Sequence, residues 1–139
     1  MRIAVLFLFL FTASFRMDAR TPDSTAVAGL FNTSWTLTDK YRISGVFHRK
    51  HRLENTSEKS ITIYRDEIHS ELTTGKYQIC SMRHRNVNEF WLDCASPDQY
   101  IYRVVSINGD KLVIDVLTRI ESTSPYERIT RNHYVRKRN

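Results

Sequence analysis

Residues 100–118 read YIYRVVSINGDKLVIDVLT. Two runs rich in β-branched and aromatic side chains flank Asn108-Gly109, the dipeptide best able to take φ > 0 at both central positions of a type I′ turn. The stretch is therefore expected to be a β-hairpin with Asn108 and Gly109 at its tip. Thr118 to Pro125 is a polar loop, and Tyr126 to Val135 reads as a final strand leading into the basic residues Arg136-Lys137-Arg138.

Toward the N-terminus the period of two recurs. Ile61 and Ile63 alternate with Thr62 and Tyr64, and Ile68 and Leu72 with Glu67, His69 and Glu71. Pairing these runs about Arg65-Asp66 sets Ile63 opposite Ile68 and Thr62 opposite His69, which predicts a hairpin with one wet face. Trp35 and Leu37 open an earlier strand, followed by Ile43 and Val46-Phe47. A less regular hairpin lies between: Tyr77 and Ile79 share a face, as do Phe90, Leu92 and Cys94, while Cys80 has the opposite parity from Tyr77. If Tyr77, Ile79, Phe90 and Leu92 all point inward, the two cysteines face opposite ways, and a disulfide needs converging side chains. Either Trp91 rather than Phe90 faces the interior, or a bulge breaks the alternation, or the bridge lies beyond regular pairing. About nine short strands in sequential hairpins, with no long helix and no internal repeat, imply an antiparallel meander, and closure into a barrel removes its exposed edges.

The chain has 139 residues, 41% hydrophobic and 26% charged, which suits one globular domain rather than a disordered chain. Two Cys, four Gly and three Pro exclude a disulfide-dense miniprotein, a zinc ribbon and a collagenous chain. The start has a different character. Arg2, the unbroken apolar run from Ile3 to Phe11 and the small residues Thr12-Ala13-Ser14 read as an export signal over 1–14, with cleavage between about residues 14 and 19. The apolar run falls well short of the roughly 20 residues of a membrane span, and none is expected. Residues 15–32 read as a linker containing Pro22, then a short helical turn capped by Asp23 or Ser24 and carrying Val27, Leu30 and Phe31. The barrel is expected over 33–135 and a basic tail over 136–139. Export places Cys80 and Cys94 in an oxidising compartment, where a bridge closing a loop of about 15 residues contributes roughly 3 kcal/mol.

These residues carry a resemblance. The exported part resembles the small lipocalin-like barrels of secreted bacterial proteins, within the wider calycin group. Trp35, close behind a short apolar turn, is similar to the Gly-x-Trp that opens lipocalins, with Thr33 where the Gly stands in the family. Gly75-Lys76-Tyr77-Gln78-Ile79 resembles the mid-chain Gly-x-Trp/Tyr-x-aliphatic strand start. Tyr102-x-Val104-x-x-Ile107 followed by Leu112-x-Ile114 is similar to the Tyr-x-Ile-x-x-Leu…Leu-x-Leu hairpin. The resemblance implies an all-β, antiparallel up-and-down barrel of about eight to nine strands, with a short N-terminal helical turn. It also implies that Arg128, Arg131 or Arg136 stacks over Trp35. Strict alternation in the Tyr100 strand makes Arg103 an interior cation suited to a carboxylate. The family-like spacing instead implies a bulge near Val105-Ser106, with Tyr102, Val104 and Ile107 inward and Arg103 solvated outside.

Catalytic patterns are weak. His48-x-x-His51 puts its rings on opposite faces of a strand, which suits a metal badly. Glu67, His69 and Glu71 share a face, as the wet side of any sheet does. There is no His-Glu-x-x-His, no P-loop, no Gly-x-Ser-x-Gly and no Gly-rich nucleotide loop. Neither an enzyme nor a cofactor or metal is expected. The net charge of +6 gathers at Arg49, Lys50 and Arg52 and at Arg136, Lys137 and Arg138, candidate contacts for an anionic surface or polyanion; export argues against a specific nucleic-acid partner.

As the resemblance implies, the expected function is that of a secreted or periplasmic protein binding a small apolar or amphipathic ligand inside the barrel, walled by Trp35, Tyr77, Tyr102 and Ile114. The alternative is an interaction or structural module with a filled barrel, acting through its basic loops. An interior void of at least about 300 Å³, open at one end, separates the first from the second.

Overall fold

The structure, a computed structural model, describes residues 22–44, 47–95, 99–119 and 128–138. The proposed export signal at 1–14 therefore lies outside the described residues. Asp23 caps the first element as its side chain predicts, accepting a 2.8 Å hydrogen bond from the Ala26 N–H at the start of α1 (Ser24–Ala28). Val27 and Leu30 bury their side chains against the barrel with Phe31 packed beside them. Asn32, at φ 62°, then turns the chain into the first strand.

Nine strands follow among the described residues: β1 (Thr33–Ser44), β2 (Arg49–Arg52), β3 (Glu58–Ile63), β4 (Glu67–Leu72), β5 (Tyr77–His84), β6 (Glu89–Asp93), β7 (Gln99–Asn108), β8 (Lys111–Arg119) and β9 (Arg128–Arg136). Every pairing is antiparallel. β1 and β3 through β9 follow one another around the sheet, and β1 also pairs with β9, so eight strands close a barrel. β2 is an additional strand on the far end of β1, opposite Tyr41 to Ser44. The expected all-β barrel with its short helical turn is what the chain forms. In β3 and β4 the register is the one read from the alternation, Ile63 opposite Ile68 and Thr62 opposite His69.

Two local expectations shift. Asn108 pairs with Lys111, so the two-residue loop is Gly109-Asp110 rather than Asn108-Gly109. Gly109 alone takes positive φ there, at 57°, the requirement of a type II′ turn in which Gly occupies the first central position. The basic tail also starts later than expected, because Arg136 is the last residue of β9.

The cysteine conflict rests on the inward placing of Tyr77 and Ile79, which the structure reverses, and the bridge lies one step past the last β5–β6 pair, Ser81 opposite Asp93, as the third alternative has it. Cys80 and Cys94 form a disulfide, and Phe90 does point inward, with Leu92. It is Tyr77 and Ile79 that face solvent, 68% and 56% exposed, so Cys80 and Met82 turn into the barrel on the same face as Phe90, Leu92 and Cys94. Apolar alternation was a misleading guide because Tyr77 and Ile79 lie on the outer face of a strand whose inner side is filled by Cys80 and Met82. Trp91 lies outside, under the Arg85 guanidinium at 5.1 Å from its ring.

Among the described residues, bulges break the period of two at Thr38 in β1, Lys59 in β3 and Val105 in β7. The last was anticipated and leaves Arg103 outside. Arg103 is not simply solvated, however. The register carries Glu89, Arg103, Asp115 and Arg131 across β6 to β9 in one outer row. Within it Arg103 donates to Glu89 at 2.7 Å, and Arg131 donates to both oxygens of Asp115 at 2.7 and 2.8 Å. Opposite charges facing each other across strands stabilise the pairing and fix its register.

Candidate functional site

The two ends of the barrel differ. At the end covered by α1, Leu30, Ile63, Ile68, Met82, Phe90, Val104 and Ile114 pack around a residual space of about 10 Å³, no more than one water would fill. Trp35 is fully buried at this end. Its indole N–H donates to Thr33 Oγ1 at 2.7 Å, and Arg136 lies over its ring at 4.9 Å. Of the three arginines considered for that position, Arg136 occupies it, because Arg136 is the β9 residue opposite Trp35.

The other end opens into a cavity of about 230 Å³. It is smaller than the 300 Å³ set as the mark of a ligand pocket, and it is only partly apolar. Leu72, Leu92, Val116, Tyr102 and the Cys80–Cys94 disulfide supply its apolar wall, while Lys40, Glu58, Ser70, Gln78, Thr130 and Asn132 supply polar groups. Glu58 sits at the start of β3 and is largely surrounded by protein, with the cavity as its access to water. Burial pushes its carboxyl pKa above the ordinary value, more than the Tyr134 hydrogen bond, the Lys40 charge and the Ser70 hydrogen bond lower it. Tyr134 Oη donates to Glu58 at 2.7 Å and accepts from Asn132 Nδ2 at 2.9 Å, and the Ser70 hydroxyl donates to the second Glu58 oxygen at 3.3 Å. Burial and the neighbouring Glu58 charge raise the Tyr134 pKa well above its usual range, so this phenol keeps its proton. Asn132 Oδ1 is buried and has no partner. Lys40 lines the cavity without forming an ion pair with Glu58.

The bulges place these charges. Uninterrupted alternation with Trp35 and Leu37 would turn Asp39 and Tyr41 inward; the extra residue Thr38 sends Lys40 inward instead, opposite Asn132. Likewise, alternation with Ile61 and Ile63 selects Lys59, and the extra residue there puts Glu58 inside, opposite Leu72, while Lys59 reaches Glu71 at 3.1 Å outside. No residue type marks either bulge, so sequence reasoning missed both side chains. Asn132 and Tyr134 were legible in principle, as alternate residues of the last strand, but nothing in their types distinguishes an inner polar row from an outer one.

Of the four expected wall residues, Tyr102 lines the cavity, while Trp35 and Ile114 are packed into the filled end. Tyr77 stands outside and takes no part. His69 meets Glu67 at 2.7 Å on the outer face. Among the described residues no group of three or more His, Cys, Asp or Glu side chains is placed to hold a metal ion. A separate cleft of about 300 Å³ runs between β1 and residues 52–56; its walls are mostly polar and hold the Asp39–Arg52 ion pair at 2.7 Å.

The two basic clusters do not form one patch. Arg52 pairs opposite Tyr41 and Arg136 opposite Trp35, six residues apart along β1, which is roughly 20 Å. Arg49, Lys50 and Arg52 are exposed beside the open end, while Arg136, Lys137 and Arg138 are exposed at the end closed by α1. Arg138 is paired with Asp110 at 2.9 Å, a hydrogen bond that holds the exposed Asp110 carboxyl below its ordinary pKa. No helix among the described residues is long and apolar enough to cross a membrane.

Compared with protein-family models, curated proteins and solved structures, the chain matches none.

Proposed function

We propose that this protein is an exported, non-enzymatic binding protein of lipocalin-like type that carries a compact amphipathic molecule in the open end of its barrel. The observation that carries this reading is the cavity of about 230 Å³, lined by more polar than apolar surface, in a barrel whose other end is packed solid beneath α1. Its size favours a small ligand over the drug-sized molecules that occupy pockets of about 300–1,000 Å³. The stacking of Arg136 on Trp35 supports the lipocalin-like assignment, and the Cys80–Cys94 disulfide supports an oxidising compartment. Native mass spectrometry of the protein purified from its own host tests the reading. A retained small molecule released on unfolding is expected; a mass equal to that of the bare processed chain, repeated across growth conditions, would favour the filled-barrel interaction module.

A further inference from the structure

We propose that the cavity takes its ligand through a protonated amine, received by Glu58, while Leu72, Leu92, Val116 and the disulfide wall bury the apolar remainder. This deepens the reading of the barrel as a small-molecule binder and rests on it.

Three observations lead there. First, a carboxylate surrounded by protein is costly unless a cation or several donors compensate it. Glu58 receives one short hydrogen bond, from Tyr134, and one long one, from Ser70, and forms no ion pair. An ionised carboxylate has about four acceptor sites, so capacity remains for a further donor. Second, the surrounding network runs one way. Tyr134 donates its hydrogen bond to Glu58 and accepts one from Asn132, and Asn132 Oδ1 is left as a further acceptor without a donor. Glu58 and Asn132 Oδ1 are thus left with acceptor capacity that no neighbouring donor takes up and no cation contacts, and an ammonium group supplies both donor and charge. Third, the competing positive charges are placed differently. Arg49, Lys50 and Arg52 are exposed beside the mouth, where water and salt screen them within about 8 Å. Glu58 acts from inside, where screening is weakest. Lys40 is the cation that shares the cavity, and it opposes the amine.

Calorimetric titration of the purified protein with hexylamine, hexanol and hexanoate tests this. All three probes offer the same apolar chain, so their differences report the head group. Hexylamine should bind about tenfold or more tighter than hexanol, the worth of a charge-assisted over a neutral hydrogen bond. Glu58→Gln keeps the acceptor for Tyr134 and should erase that preference while leaving hexanol binding in place. Lys40→Met, which leaves Glu58 and its hydrogen bonds intact, should tighten hexylamine and so tests the idea even if the Gln variant does not fold. Equal binding of hexylamine and hexanol would overturn the amine assignment and leave the carrier reading standing. So would a preference for hexanoate, lost in Lys40→Met. Failure of all three probes to bind would overturn both.

Discussion

Glu58 is a carboxyl group that the fold takes largely out of water and does not ion-pair. Its folded pKa is raised, so between its unfolded and folded pKa values the native state binds more protons than the unfolded chain. The contribution of Glu58 to stability is therefore complete below its unfolded pKa and is lost as pH rises through the folded one. Glu58→Gln should raise the melting temperature at pH 7, and the gain should shrink toward zero as the pH is lowered past the ordinary carboxylate range. An unchanged pH profile would mean that Glu58 is hydrated as well in the native state as in the unfolded chain. Arg136 presents the opposite case, a charge kept partly in water and laid across an aromatic face. Arg136→Ala should cost about 1 kcal/mol through loss of the contact with Trp35, read as a lower urea midpoint at constant slope. Tyr77 and Ile114, both read from the sequence as wall residues, separate on the same measurement. Ile114→Ala should cost about 2–5 kcal/mol because it empties packed space, whereas Tyr77→Ala on the outer face should stay within roughly 0.5 kcal/mol.

At the scale of elements, hairpin registers were the legible part where both strands alternate cleanly. Ile63 met Ile68 because both neighbouring faces agreed about which side is wet. The hairpin at 108–111 was legible as a hairpin, but its loop slid by one residue. The Val105 bulge lets Ile107 and Leu112 meet on the inner face, and that pairing carries Asn108 to Lys111 and leaves Gly109 to take the positive φ. Gly109→Ala should therefore destabilise by about 1 kcal/mol or more, although nothing crowds the site, because a Cβ at this φ clashes with its own backbone. Asn108→Ala should cost less, the reverse of what a type I′ turn centred on Asn108-Gly109 predicts. β5 misled for another reason. Its outer face carries Tyr77 and Ile79 and its inner face Cys80 and Met82, so both sides are apolar by type and alternation cannot orient it. Only the partner strand, with Leu92 opposite Met82, decides the matter.

For the whole molecule, barrel closure sends the two basic clusters to opposite ends, and several of their members are already answered by acids: Arg52 by Asp39, Arg138 by Asp110. A polyanion cannot engage both ends with one short segment. Retention on heparin should accordingly be weak, with elution below physiological ionic strength, and neutralising either cluster should lower the elution salt independently of the other. Strong retention that disappears when one cluster alone is neutralised would instead mark that end as a polyanion site.

What the sequence determined by itself is the kind of object: strands at a period of two, hairpins joined in order, a capped turn before Trp35 and one pair of cysteines. These follow from local sterics and from which side chains leave water, both written residue by residue. What the tertiary structure alone decided is which side chains share the interior of the open end. Each of the bulges at Thr38 and Lys59 inserts one residue and so exchanges the faces of everything beyond it. In that way Lys40 and Glu58 come to line one cavity with Asn132, a choice made by how eight strands close around the barrel.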